Sequence, residues 1–191
     1  MEASQPKPTL RSRILQVRRG LDQAERAHFA KALCDRVLGL AAAERYRAVG
    51  CYLSVGSEPP TRDLVGALHA ASVRVLLPVL LPDNDLDWAE YTGPDSVAPA
   101  GRGLLEPVGA RLGVRAVAEV GLLLVPAVAV DLAGNRLGRG GGSYDRALAR
   151  RVPGQRVLAV LWPGELVPEL PSDPHDQRVD GVVSSDGVTL L

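Results

Sequence analysis

The chain has 191 residues, 46% of them apolar and only 4% aromatic, and its 22 basic residues balance its 22 acidic residues. These values are typical of a soluble globular domain with a core of Val, Leu and Ala, and they exclude a disordered chain. The zero net charge gives no sign of nonspecific attraction to nucleic acid or to membrane, so neither is expected as a partner. We expect one domain over residues 1–191, with residues 1–6 flexible, as a monomer or weak homo-oligomer.

The two cysteines, Cys34 and Cys51, are too few for a disulfide framework or a metal site. Both have apolar neighbours, so we expect buried free thiols. The N-terminal residues lack the apolar segment of a signal peptide, and no apolar run approaches the roughly 20 residues of a membrane helix. A cytoplasmic location is therefore expected.

Residues Thr9–Leu40 have apolar side chains at helical spacing, which predicts a helical region. The apolar positions are Leu10, Ile14, Leu15, Val17, Leu21, Phe29, Leu33 and Val37. A break is expected near Gly20, and Asp22 is expected to cap a second helix.

The next segment alternates strand and helix. The run Ala48–Val55 is rich in strand-forming residues and ends at a turn. Thr61 is then expected to cap a helix over Arg62–Ala71, and Val73–Val79 predicts a second strand. The short connections predict a parallel βαβ unit.

The remaining chain carries three further apolar runs and one polar loop. Asp83–Asp95 is interpreted as a loop with a short strand, in which Trp88 and Tyr91 pack rather than bind ligand. Buried strands are predicted at Leu122–Val130, Arg156–Leu161 and around Val182 and Val183. This order predicts an α/β fold: a mostly parallel sheet flanked by helices in a Rossmann-like three-layer arrangement.

A glycine-rich segment, Arg136–Arg146, follows the run Leu122–Val130 and precedes a predicted helix starting near Tyr144. Four glycines remove side chains from the turn, which lets backbone N–H groups converge on an anion. Arginines in the loop can pair with phosphate oxygens. Asp145 adds a carboxylate to this basic loop, which suits a site where Mg²⁺ bridges the carboxylate to the phosphates. The loop lacks the Lys-Ser/Thr pair of a P-loop, so the residues alone predict only phosphate binding.

The glycine segment resembles the signature of the 5-formyltetrahydrofolate cyclo-ligase family, also called methenyltetrahydrofolate synthetase. The matching stretches are Asp131–Arg146, Lys7–Arg11, Tyr52–Glu58 with Thr61, and Pro174–Asp176 with Val179 and Asp180. They occur in the order of the family and cover nearly the whole chain.

The resemblance implies an ATP- and Mg²⁺-dependent ligase that converts 5-formyltetrahydrofolate to 5,10-methenyltetrahydrofolate. ATP would phosphorylate the formyl oxygen, the neighbouring amine of the folate would attack, and ADP and phosphate would be released. Such a reaction depends mainly on positioning and charge neutralisation.

The resemblance also implies roles for individual residues. Arg139 and Tyr144 are expected at the catalytic centre, and Asp145 and Asp176 at the metal. The substrate-binding residues are expected to be Leu53, Glu58, Gly140, Tyr144 and Trp162. The ATP-binding residues are expected to be Lys7, Arg11, Arg136, Leu137, Gly138, Arg139, Gly140, Gly141, Gly142, Ser143 and Tyr144. His175 is expected to shape its loop rather than to act as a base.

The sequence departs from the family at Ser143, where an aromatic residue is usual, and the prolines after Glu58 make the substrate loop unusual. These departures leave an alternative open: an ATP-binding paralogue with a regulatory role and no cyclo-ligase activity. A third hypothesis, an unrelated kinase-like phosphotransferase, rests on the glycine loop alone and leaves the other matches unexplained.

Overall fold

The computed structural model describes residues 6–191, so the expected flexibility of residues 1–6 falls mainly outside the described part. The α-helices are α1 Lys7–Arg19, α2 Gln23–Ala43, α3 Arg62–Ala70 and α4 Ser143–Leu148. The strands of the large sheet are β1 Ala48–Gly50, β2 Arg74–Leu80, β3 Leu86–Tyr91, β6 Leu122–Pro126, β9 Arg156–Val160, β11 Gly181–Val183 and β12 Val188–Leu190. Smaller sheets contain β4 Val97–Pro99 with β5 Leu105–Pro107, and β7 Ala129–Asp131 with β8 Arg136–Leu137 and β10 Leu166–Val167.

The seven-stranded sheet has the order β12-β11-β9-β6-β1-β2-β3. Its five inner strands are parallel, and the edge strands β12 and β3 are antiparallel to their neighbours. The predicted α/β architecture with a mostly parallel sheet is confirmed, including the parallel β1–α3–β2 unit.

Successive residues of β6 point to opposite faces of the sheet, as strand geometry requires. Leu122 and Leu124 pack with α2 and α3 in one buried cluster. Leu123 and Val125 pack with α4 and the 3₁₀ helix Val114–Glu119 in another. Both faces are covered, so the expected three layers are present, and β6 is apolar along its length because neither face contacts water.

Helix α1 ends before Gly20, and α2 begins after Asp22, as predicted. The Asp22 side chain accepts a hydrogen bond from the Glu25 N–H, and the Glu25 carboxylate accepts one from the Asp22 N–H. This reciprocal capping box fixes the start of α2.

The apolar pattern of α1 predicted the buried face incorrectly at one point. Val17 is 68% exposed, whereas Arg18 is 1% exposed. Leu10, Ile14 and Leu15 pack on the small sheet beside Leu137 and Leu170. Arg18 lies one helical turn beyond Ile14, which places it on the buried face.

The predicted buried strand Leu122–Val130 is confirmed over Leu122–Pro126, but its end is wrong, because the chain leaves the large sheet after Pro126 and enters the small sheet as β7. Pro126 has no N–H to continue the ladder, and the Val128 N–H instead donates to the Leu137 carbonyl at 2.7 Å. The glycine loop therefore follows β8 of the small sheet.

The predicted strand Ala48–Val55 ends at Gly50, and the rest of that run forms a loop. Thr61 holds the loop closed, since its hydroxyl donates to the Tyr52 carbonyl and accepts from the Ser54 N–H. This engagement explains why Thr61 makes no side-chain capping bond to α3.

Candidate active site

A cavity of about 440 Å³ lies beyond the carboxyl ends of β1, β2 and β6. Parallel sheets commonly bind ligands at this edge. Its walls come from the substrate loop after β1, the segment after β6, the glycine loop, and residues 102–106. The expected site residues that line it are Arg11, Leu53, Glu58, Arg136, Gly138, Arg139, Gly140, Gly141, Gly142, Ser143, Tyr144, Asp145 and Asp176.

The glycine loop turns sharply between β8 and α4. Gly140 has φ +100° and Gly142 has φ +69°, conformations that favour glycine. A Cβ at Gly138 would lie 2.8 Å from a guanidinium nitrogen of Arg136. Within residues 6–191, the N–H groups of Gly140, Gly141 and Gly142 have no hydrogen-bond acceptor. The loop therefore presents free donors to an anion.

Two arginines attach the glycine loop to the rest of the site. Arg11 on α1 donates from Nε to the Gly138 carbonyl at 2.8 Å. Arg139 Nε lies 3.1 Å from Glu58 Oε1, and its guanidinium also donates to the Val55 carbonyl at 3.2 Å. The ion pair between Arg139 and Glu58 joins the glycine loop to the substrate loop.

Asp145, an expected metal ligand, is paired with a buried cation. Its Oδ1 lies 2.8 Å from Arg136 Nη2 and accepts a longer bond from the Gln177 N–H at 3.3 Å. The Arg136 side chain is 4% exposed and also lies over the Tyr144 ring at 5.9 Å.

Asp176, the other expected metal ligand, is also paired. Lys7 Nζ lies 2.7 Å from Asp176 Oδ2 and 2.6 Å from Asp173 Oδ2. Burial lowers the pKa of Lys7, but its hydrogen bonds to the two carboxylates outweigh this and raise it. Burial raises the pKa of Asp176, but Lys7 and the Asp173 N–H lower it below its usual value.

The same segment brings together three side chains with possible metal-ligand atoms, Asp173, His175 and Asp176, all within 4.8 Å of one another. His175 Nε2 lies 3.8 Å from Asp176 Oδ1 and its side chain is 78% exposed. A solvent-exposed imidazole in a loop agrees with a loop-shaping role, which stays a prediction.

Glu58 is the buried carboxylate of the cavity, with its side chain 11% exposed. Burial raises its pKa above the ordinary value, although Arg139 and the hydrogen bond from the Val55 N–H favour the charged form. Its Oε2 accepts from Val55 N at 2.8 Å. Glu58 is thus held in place while facing the cavity.

Three expected site residues do not line the cavity: Lys7, Leu137 and Trp162. Leu137 packs in the core of the small sheet. Trp162 lies behind the substrate loop. Its ring packs against Phe29 at a tilt of 49° with the centroids 4.3 Å apart, and its Nε1 donates to the Ser57 carbonyl. Trp162 thereby supports the loop that carries Glu58 from the side away from the cavity.

Arg18 and Tyr52 line the cavity but were not predicted as site residues. Arg18 was not among the apolar positions that predicted the helix, although its spacing of seven residues from Arg11 places both arginines on one helical face. Tyr52 belongs to the strand-like run AVGCYLSV, in which it reads as a core residue. Helical spacing was the signal for Arg18. For Tyr52 the signal was its place in the stretch Tyr52–Glu58, which resembles the substrate loop of the family.

A second, more open cavity of about 640 Å³ adjoins the first and shares Arg11 and Arg139 with it. Arg19 and Arg26 also line it, and within residues 6–191 no acidic residue does. We call this second cavity the basic groove. Arg139, which pairs with Glu58, lines both the basic groove and the first cavity.

No helix within residues 6–191 combines the length and apolar character needed to cross a membrane. Both cysteines are free. Cys51 is fully buried, as predicted, and burial raises its pKa to about 12. Cys34 is only partly buried.

Comparison with known proteins gives one consistent result. The family model described as "5-formyltetrahydrofolate cyclo-ligase family" matches residues 3–185. A 5-formyltetrahydrofolate cyclo-ligase of Mycolicibacterium smegmatis is 39% identical over 183 residues, covering 93% of each chain. The Escherichia coli protein of the same name is 32% identical over 181 residues, covering 92% of this chain and 98% of its own.

A solved structure is also similar. The NMR structure of Aquifex aeolicus 5,10-methenyltetrahydrofolate synthetase superposes with a TM-score of 0.82 at 28% identity. The match covers 96% of this chain and 92% of that chain.

Proposed function

Because the chain belongs to the 5-formyltetrahydrofolate cyclo-ligase family, we propose that it converts 5-formyltetrahydrofolate and MgATP to 5,10-methenyltetrahydrofolate, ADP and phosphate. The observation that carries the proposal is the ion pair between Arg139 and Glu58. It joins an anion-binding loop and a buried hydrogen-bond acceptor within a single cavity. A nucleotide and a folate can therefore meet there.

The chemistry has two steps. The formyl oxygen attacks the γ-phosphorus of ATP, ADP leaves, and the formyl group becomes an imidate-like phosphate. The N10 amine of the folate then attacks the formyl carbon, and phosphate departs with the former formyl oxygen. The amine proton is released, which leaves the methenyl bridge.

The glycine loop is proposed to hold the phosphates. The free N–H groups of Gly140, Gly141 and Gly142 supply donors, and Arg11 and Arg139 add positive charge beside them. Preorganised donors of this kind stabilise the charge of phosphoryl transfer without protein reorganisation.

Asp145 and Asp176 fit Mg²⁺, because both are carboxylates of the same cavity and Mg²⁺ prefers oxygen ligands shared with phosphates. When bound, Mg²⁺ neutralises phosphate charge. Lys7 and Arg136 balance these two carboxylates. We propose that the carboxylates exchange these partners when MgATP enters, and that the released Lys7 and Arg136 then turn toward the phosphates.

Glu58 is proposed to accept hydrogen bonds from N–H groups of the pteridine ring. Its burial strengthens such bonds, because competing water is excluded. Exclusion of water also protects the phosphorylated formyl group from hydrolysis. Tyr144 lies beside both the loop and Arg136, where it can close over the reacting groups.

The carboxylates of the folate's glutamate are proposed to extend toward the basic groove. Arg19 and Arg26 make no ion pair among the described residues, so their charges are left for an anion; carbonyls of Leu21 and Arg18 hold the Arg26 guanidinium in place. The connection through Arg11 and Arg139 makes the groove continuous with the reaction cavity.

The test is an absorbance assay for methenyltetrahydrofolate with 5-formyltetrahydrofolate as substrate. Product is expected with MgATP, and none when either ATP or Mg²⁺ is omitted. A folded sample that binds ATP but forms no methenyl product would favour the regulatory paralogue instead. The comparisons give that alternative no support, because the relatives reported above are named as the enzyme.

A further inference from the structure

Arg18 is a fully buried cation in the wall of the cavity, 1% exposed. Its Nε and Nη2 each lie 2.7 Å from a carboxylate oxygen of Glu165, and Nη2 also donates to the Ala127 carbonyl at 2.7 Å. Its third nitrogen, Nη1, is buried and has no partner within residues 6–191. The Arg18 guanidinium is therefore held in place by Glu165 and Ala127, and its Nη1 is left for another acceptor.

Tyr52 repeats this feature on the neighbouring element. It is 3% exposed, lines the same cavity, and its hydroxyl has no hydrogen-bond partner in the described part of the chain. Desolvation raises its pKa well above the ordinary value, so the phenol is a neutral donor.

Buried donors without partners are rare in folded proteins, because each loses its bond to water and gains none. Three residues of the cavity wall carry such a donor. Arg136 Nε belongs to the guanidinium that pairs with Asp145 at the glycine loop, whereas Arg18 Nη1 and Tyr52 Oη lie on residues of the opposite wall and indicate a group that both contact when the cavity is filled. Glu58 lines the cavity beside them, and its buried carboxylate disfavours an anion at the same place. A neutral oxygen acceptor fits this environment, and a phosphate does not.

We propose that Arg18 and Tyr52 form a donor pair for the 4-oxo oxygen of the folate pteridine ring. The ring edge carries this carbonyl next to an N–H group, so Glu58 accepts from the N–H while Arg18 Nη1 and Tyr52 Oη donate to the oxygen. The assignment rests on the proposed function. It makes Arg18 and Tyr52 substrate-binding residues and makes Glu165 the residue that positions Arg18.

The decisive variant is Tyr52→Phe, because the hydroxyl it removes makes no bond to the protein. The probes are 5-formyltetrahydrofolate and its 4-amino counterpart, titrated without ATP by calorimetry. Wild type is expected to bind the 4-oxo compound more tightly. Tyr52→Phe is expected to weaken binding of the 4-oxo compound about tenfold, with little change for the 4-amino compound. Its Tm is expected to equal or exceed that of wild type.

A matched control is Tyr91→Phe, which deletes a hydroxyl from a buried tyrosine outside the cavity wall. It is expected to leave both dissociation constants unchanged. Equal affinity of wild type and Tyr52→Phe for the 4-oxo compound would overturn the inference. If such a result accompanies normal turnover, the proposed function survives; absence of turnover and folate binding in wild type overturns both.

A second variant removes the cation without leaving Glu165 as an unpaired buried charge: Arg18→Met combined with Glu165→Gln. A purely structural role for Arg18 would lower Tm but keep the preference for the 4-oxo compound. The donor pair instead predicts that this preference falls about tenfold or more; the part that remains comes from Glu58, because the 4-amino ring also lacks the N–H next to the carbonyl. An unchanged preference would contradict the assignment.

Discussion

The two ends of the cavity differ in how their polar groups are satisfied. At the nucleotide end, both expected metal ligands already contact protein cations: Asp145 contacts Arg136, and Asp176 contacts Lys7. At the folate end, Arg18 Nη1 and the Tyr52 hydroxyl are buried and have no partner among the described residues, while Glu165 and the Ala127 carbonyl hold the rest of the Arg18 guanidinium. Arg136 Nε at the nucleotide end also has no partner within residues 6–191. The carboxylates of the nucleotide end are thus paired with protein cations, whereas the folate end offers two donors without a protein partner among the described residues, beside the ion pair of Glu58 with Arg139.

This difference implies two modes of binding. At the nucleotide end a ligand must replace existing ion pairs, so its affinity is a difference between old and new contacts. At the folate end a ligand adds hydrogen bonds to groups that are already desolvated and fixed, which favours specificity. Substitutions should accordingly affect Mg²⁺ and ATP at one end and the folate ring at the other.

The largest effect is expected from Asp145→Asn. The change removes a proposed metal ligand and the charge that balances buried Arg136. Turnover is expected to fall at least about 100-fold, with a higher Mg²⁺ concentration for half-maximal rate. Steady-state rates over a Mg²⁺ series measure both. Asp85→Asn is the matched control, because the Asp85 carboxylate also pairs with an arginine, Arg150, but does not line the cavity. An unchanged Mg²⁺ dependence in Asp145→Asn would remove Asp145 from the metal site.

Glu58→Gln should affect the opposite end. The neutral amide is a weaker acceptor for the ring N–H groups and no longer pairs with Arg139. The KM for the folate is expected to rise about tenfold, and the KM for ATP by much less. Initial rates with each substrate varied in turn measure the two constants. The reverse order of effects would place Glu58 outside the folate site.

Arg139→Ala probes the contact between the two ends. Arg139 is half exposed, and Arg11 and Arg136 remain near the loop, so turnover is expected to fall only a few-fold. Both KM values should rise, because the change frees the glycine loop from Glu58 and Val55. A change confined to one KM, measured in the same assay, would show that Arg139 serves a single substrate.

The smallest effect is a pH dependence of stability at the nucleotide end. The pKa of Asp176 is lowered in the folded state, so its charged form stabilises the fold above the usual Asp pKa. That contribution is lost as the pH falls through the lowered value. Asp176→Asn is expected to lose about 1 kcal/mol at neutral pH, or about 2–4 °C in Tm.

Thermal unfolding of wild type and Asp176→Asn from neutral to acidic pH measures this effect. The Tm difference should shrink as the pH drops below the usual range of the carboxyl group. A difference that stays constant with pH would show that the pair with Lys7 does not stabilise the fold through its charge.

The sequence predicts the parts of the fold that depend on local pattern. Apolar runs gave the sheet, and Asp22 gave the start of α2, because capping is decided within a few residues. The boundary at Pro126 was missed, because an apolar run does not show that its two halves join different sheets. The role of Thr61 was missed for a similar reason, since its partners are seven to nine residues earlier.

The candidate site divides in the same way. The residues of the glycine loop are consecutive, so the sequence alone predicts that the loop binds an anion. The ion pair of Arg139 with Glu58 joins residues 81 positions apart, and only the fold brings them together. Arg18 was missed because, in the sequence of α1, a buried arginine looks the same as the exposed arginines around it. Its burial depends on Glu165, which the fold supplies from 147 residues away.

The most direct test of the central claim is to measure methenyltetrahydrofolate and ADP together in one reaction with 5-formyltetrahydrofolate, ATP and Mg²⁺. If the cavity couples its two ends as proposed, the two products form in equal amounts and neither forms without the folate. ADP formation without methenyl product, or methenyl product without ADP, would contradict the account.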